Sequence, residues 1–145
     1  MSKVLAIDPG LSKCGLIEAD LKEKKVNKAL VVRSELILKL VRKINKNDKN
    51  IQVLIGNGTS SKFFIENLCE CIPNLIIAEE KNSTFRAKER YFEIFPLKGL
   101  KCILPREIFI LNKNLDALAA LIIMEDFFKL KFDVSNKIDT KTWLR

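Results

Sequence analysis

A few acidic side chains stand where they could do chemistry. Asp8 closes the apolar run Val4-Leu5-Ala6-Ile7 and is followed at once by the turn residues Pro9-Gly10. Glu79-Glu80 closes a second apolar run, Leu75-Ile76-Ile77-Ala78. Asp116 is the one polar side chain between Leu115 and Met124, in a stretch whose apolar residues leave no polar face. A carboxylate in such a setting is costly to bury unless something neutralises it, and a cation does so. Each acid also has a plainer reading. Asp8 could simply start a turn, Glu79 and Glu80 could be solvated, and Asp116 could sit in a first helical turn and favour the helix dipole. Taken together, two strand-end acids and one helix-start acid suit a pair of octahedral Mg²⁺ or Mn²⁺ ions roughly 4 Å apart, the arrangement that activates water against a phosphodiester.

Composition narrows the chemistry further. The chain has 145 residues, enough for one domain with its own core. It contains no histidine, which removes Ser-His-Asp and Cys-His catalysis and His-ligated zinc. Cys14, Cys69, Cys71 and Cys102 form no C-x-x-C pair and read as buried free thiols of a reducing compartment, so a cytoplasmic location is expected. No signal peptide and no membrane span is read. A formal charge of +8 favours a polyanionic partner, nucleic acid above all.

The elements that must position the acids follow from periodicity. Strands are expected at 3–8, 15–20 and 26–33, joined by short turns into an antiparallel meander. Ser34 is the expected N-cap of an amphipathic helix to about Lys46. A buried strand at 51–55 leads into Gly56-Asn57-Gly58-Thr59-Ser60-Ser61-Lys62, a strand-to-helix loop that Thr59 or Ser60 could cap and whose backbone could meet a phosphate. A helix carrying Phe64, Ile65, Leu68 and Ile72 follows, then the strand at 75–78. Asn82-Ser83-Thr84 can cap a third helix, which Pro96 stops. Residues 97–111 read as irregular, with an extended piece at 102–104. Leu115 to Leu130 reads as the last long helix. A meander followed by strand-helix alternation predicts an α/β fold, a mixed sheet with helices on both faces.

These segments resemble the RNase H-like nucleases of the RuvC/YqgF group. Ala6-Ile-Asp-Pro-Gly-Leu-Ser-Lys-Cys-Gly15 is similar to the group's first-strand motif, D-x-G-x-x-(R/K)-x-G. Glu79-Glu80-Lys-Asn-Ser-Thr84 is similar to its D-E-x-x-T-T segment, and Asp116-Ala-Leu-Ala-Ala120 to its D-x-x-A-A helix start. Ile55-Gly-Asn-Gly-Thr-Ser-Ser61 resembles a segment of the YqgF-like domain of the transcription accessory protein Tex. Lys113 stands where junction-resolving relatives carry a further acid or histidine, which turns the likeness towards RNA processing or binding.

The resemblance implies a five-stranded mixed sheet of order 3-2-1-4-5 over residues 1–132, with 133–145 as a C-terminal tail. It implies Asp8, Glu80 and Asp116 as catalytic metal ligands for two Mg²⁺ or Mn²⁺ ions. It also implies cleavage of structured nucleic acid, either precursor ribosomal RNA or branched DNA, by a monomer or homodimer. Lys13, Thr59, Lys62, Arg86 and Lys88 are the candidate phosphate contacts. A non-catalytic nucleic-acid-binding domain on the same fold is the alternative, and an actin-like nucleotide-binding domain a third reading.

Overall fold

The computed structural model describes residues 2–80, 83–94, 112–134 and 141–143. Strand β1 spans Lys3–Asp8, β2 Lys13–Asp20 and β3 Lys25–Arg33, paired antiparallel in sequence order. Asp20 closes the β2–β3 turn by accepting the amides of Lys22 and Glu23 at 2.8 and 3.0 Å, which leaves Lys24 at a left-handed φ of 52°. Helix α1 is Ser34–Asn47, β4 is Gln52–Gly56, α2 is Lys62–Cys69 and β5 is Ile76–Ala78. Strand β4 runs parallel to β1, and β5 parallel to β4. Helices α3 (Ser83–Ile94) and α4 (Asn112–Phe128) follow. The fold is α/β, with the five strands in order 3-2-1-4-5.

Two departures from expectation concern the chain's end and its caps. Within the stretch expected as a C-terminal tail, Lys141–Trp143 forms β6, parallel to β3, so the described sheet has six strands in order β5-β4-β1-β2-β3-β6. Just before it, Asp133 bridges to Lys25 and Phe132 is fully buried. Short polar segments of this kind carry little periodicity, which is why the pairing is invisible in sequence. Ser34 does not cap α1 as expected. Arg33 holds the N-cap position without a side-chain bond, and the Ser34 hydroxyl instead donates to Gly10 O at 2.7 Å, tying down the turn after β1. Likewise α2 is preceded by Ser61 rather than capped by Thr59 or Ser60. The reading of residues 97–111 and the cap at 82–84 lie outside the described residues and side chains.

Alternation along the strands sorts the core into two layers. Leu5, Ile7, Leu16, Val32, Val53 and Ile55 face α1 and α2, meeting Ile37, Val41, Phe64 and Leu68. Val4, Ala6, Ile17, Ala19, Val31 and Leu54 face α3 and α4, meeting Ala87, Tyr91 and the run Ala117–Met124. That run is buried throughout, as an apolar helix surface must be. Helices therefore cover both faces. Asp8 shares the parity of Val4 and Ala6, so its side chain belongs to the α4 layer. No helix among the described residues is long and apolar enough to cross a membrane.

Candidate functional site

Glycines on both sides of Asp8 build the site. In the β1–β2 register Asp8 pairs with Gly15. A Cβ at Gly15 would overlap the carbonyl of Asp116, so the missing side chain lets the first turns of α4 descend onto the sheet beside Asp8. On the other flank, β4 ends at Gly56. A Cβ at Gly56 would overlap the Glu80 carboxyl, and one at Gly58 would meet the same group. The loop is drawn into this shape by Asn57, whose amide donates to Ala78 O at 2.7 Å, and by Ser61, whose hydroxyl donates to Gly58 O at 2.6 Å. One glycine admits the α4 backbone at Asp116 and two admit the Glu80 side chain, which reaches Asp8.

Electrostatics record the convergence. Burial first, then the charge and contact of Glu80, then the charge of Asp116, push the Asp8 carboxyl up to about 8. Burial raises Glu80, with its contact to Asp8 partly opposing. Burial raises Asp116 too, with the Lys13 ammonium opposing. By contrast Asp20 is held below the ordinary carboxylate range, chiefly by the Glu23 amide and the Ser2 hydroxyl, as a turn-closing Asp should be. Three acids that each resist ionisation, two of them close enough to share a proton, form a centre of unneutralised negative potential.

Among the described residues no three carboxylate or thiol side chains already stand as a metal-ligand group. Asp8 and Glu80 touch, while Asp116 acts on Asp8 through space. The donor set nonetheless fits a hard divalent cation. It is all carboxylate oxygen, and Glu80 Oε1 is buried with no hydrogen-bond partner. A cation would satisfy that oxygen and remove the repulsion that now forces a proton between Asp8 and Glu80.

The remaining candidates divide. Glu79 is exposed, so Glu80 is the member of the pair that faces Asp8. Lys13 is exposed at the start of β2, near enough to Asp116 to affect it. Thr59 and Lys62 are exposed on the loop and at the first residue of α2. Lys88 is exposed on α3. Arg86 is committed elsewhere: both of its terminal nitrogens engage the Asp126 carboxylate on α4, one at 2.6 Å. It therefore ties α3 to α4, while much of its side chain stays exposed. The roles of Gly15, Gly56 and Gly58 escaped the sequence reading, although a glycine inside a strand pattern signals close approach.

No protein-family model matches the chain, and no curated protein matches it either.

Proposed function

We propose that the chain is a divalent-metal-dependent nuclease on an RNase H-like fold, cleaving phosphodiester bonds in structured RNA or branched DNA. The observation that carries this reading is the convergence of Asp8, Glu80 and Asp116 around glycines that make room for them. The strand order and the position of the acids at the carboxyl ends of parallel strands agree with it. Asp8, Glu80 and Asp116 would hold Mg²⁺ or Mn²⁺. When bound, such ions supply an activated water and stabilise charge on the leaving oxygen.

The chain's own residues have defined tasks in that chemistry. Asp8 and Glu80 give up the proton they share and become acceptors. Asp116 adds a third carboxylate from the helix side, and Lys13 limits the repulsion that it brings. Lys13 and Lys62 attract the phosphate backbone towards a centre that would otherwise repel it.

The test is incubation of the full chain with labelled RNA hairpins, branched DNA and single strands, in Mg²⁺ or Mn²⁺. Wild type cleaves at least one of these and stops on chelation. Asp8→Asn and Glu80→Gln cleave at least about a hundredfold more slowly, the scale of losing a metal-centred contribution of several kcal/mol. Equal cleavage by wild type and Asp8→Asn would assign the activity to something else. Salt-sensitive binding without turnover in either metal would make the chain a binding module instead.

A further inference from the structure

Apolar side chains are exposed in the segments that follow β1, β4 and β5. Leu11 is 91% exposed, Phe63 60% and Phe85 65%. Leu11 comes three residues after Asp8, Phe63 five after Gly58 and Phe85 five after Glu80. Each therefore sits in the segment that leaves the carboxyl end of β1, β4 or β5, and those three strands are parallel and adjacent. The topology brings the three segments to the edge of the sheet that bears the acids. Phe63 is braced there, its ring edge-on to buried Phe64 with centroids 5.5 Å apart. Of the other exposed large apolar residues among those described, Ile77 is on the edge strand β5, three residues before Glu80, and Phe127 is near the end of α4, roughly 16 Å along the helix axis from Asp116.

Single exposed apolar residues need no explanation, but several at the rim of one centre do. Their surroundings state what would cover them. Lys13 and Lys62 are exposed on the same segments, Lys13 acting on Asp116 through space, in a chain of charge +8. Exposed aromatic rings and lysines carried by the same segments match a strand whose bases are unpaired. A duplex hides its base faces and offers phosphate only. A protein partner would meet the same apolar groups, but it would not account for the lysines between them.

We infer that the site takes its nucleic acid as unpaired nucleotides, with bases stacking on Phe63 and Phe85, Leu11 wedging beside the Asp8 turn, and Lys13 and Lys62 holding the backbone. This names the substrate class of the proposed nuclease and rests on that reading for the direction of the strand towards the acids.

The test measures binding alone, by fluorescence anisotropy of the full chain in EDTA, so that cleavage plays no part. The probes are one labelled RNA and one labelled DNA oligonucleotide, each as a single strand and as a blunt duplex. Single strands are expected to bind tighter than duplexes. Phe63→Ala and Phe85→Ala are each expected to weaken single-strand binding about tenfold and leave duplex binding unchanged. Phe85→Tyr, which keeps a stacking face, should restore it. Both rings are exposed, so unchanged melting temperatures verify folding. Duplexes bound as tightly as single strands would overturn the inference. So would alanine variants that bind as wild type, or that change only the mass in solution. Single-strand binding of the expected pattern without metal-dependent cleavage would sink the nuclease proposal and leave this one standing. Cleavage of blunt duplexes with no preference for unpaired strands would do the reverse.

Discussion

Asp8 and Asp20 both end strands, yet their surroundings treat them oppositely. Asp20 accepts two amides and a hydroxyl, so its charge is stabilised. Asp8 is buried beside two other acids, so its charge is penalised. The pH dependence follows with a definite sign. The folded-state pKa of Asp8 is raised, so between about pH 4 and about pH 8 the folded chain holds a proton that the unfolded chain has released. Without metal, stability is greatest at the low end of that window and falls as pH rises through it. Asp8→Asn reduces the dependence, because the raised pKa values of Glu80 and Asp116 remain. It should raise the melting temperature of metal-free protein at pH 8 while changing it little at pH 4.5, as followed by circular dichroism. A variant that melts below wild type at pH 8 would contradict the electrostatic account. The glycines make a second prediction at this scale. Gly56→Ala meets the Glu80 side chain from Cγ to Oε1 and no backbone among its nearest atoms, so the chain should fold with that side chain displaced and bind divalent ions as poorly as Glu80→Gln. Gly15→Ala meets helix backbone and should cost several kcal/mol by forcing α4 off the sheet.

At the scale of elements, α3 and α4 are joined by two ion pairs of different worth. Arg90 and Glu125 are each about 10% exposed. Arg90 also donates to Phe132 O at 2.7 Å, and the Phe132 amide donates to Glu125 at 3.0 Å. This hub ties both helices to the segment that leads towards β6. Arg86 and Asp126 are far more open to water. Arg90→Ala should therefore destabilise by about 3–5 kcal/mol, since it leaves a buried carboxylate unpaired. Arg86→Ala should cost about 1 kcal/mol or less. Urea denaturation distinguishes the two, and equal effects would mean that burial is not what sets them apart. The sequence reading found α4 from its unbroken apolar run, and found the buried strands the same way. It took Arg86 as free because a partner 40 residues away leaves no local pattern. It missed β6 because three residues cannot display a period. It singled out Asp8, the Glu79-Glu80 pair and Asp116 from the elements they terminate or begin, and Glu80 within the pair from the family resemblance. What lets the α4 backbone and the Glu80 side chain approach Asp8 lies in Gly15 and Gly56, whose information is the absence of a side chain.

For the whole molecule, a chain of formal charge +8 carries a cluster of acids. Such a net charge would draw a polyanion in over long range and make its affinity depend on salt. Replacing Lys62 with Gln should weaken single-strand binding and reduce the slope of log affinity against log salt by roughly 0.7, the share of one phosphate contact. An unchanged slope would remove Lys62 from the path of the strand. The sheet order places β1, β4 and β5 side by side, so the segments carrying Asp8, Glu80, Lys13, Lys62 and the exposed rings leave neighbouring strand ends, and in the proposed nuclease affinity and chemistry would be organised by the same topology. Central to the account is that Asp8, Glu80 and Asp116 make one cation site. Calorimetric titration of Mn²⁺ into the full chain tests this most directly, with each acid replaced singly by its amide. Wild type should bind, and all three variants should bind at least about tenfold more weakly, because each removes a charged ligand. No Mn²⁺ binding by wild type, or affinity unaltered by any one of the three replacements, would contradict it.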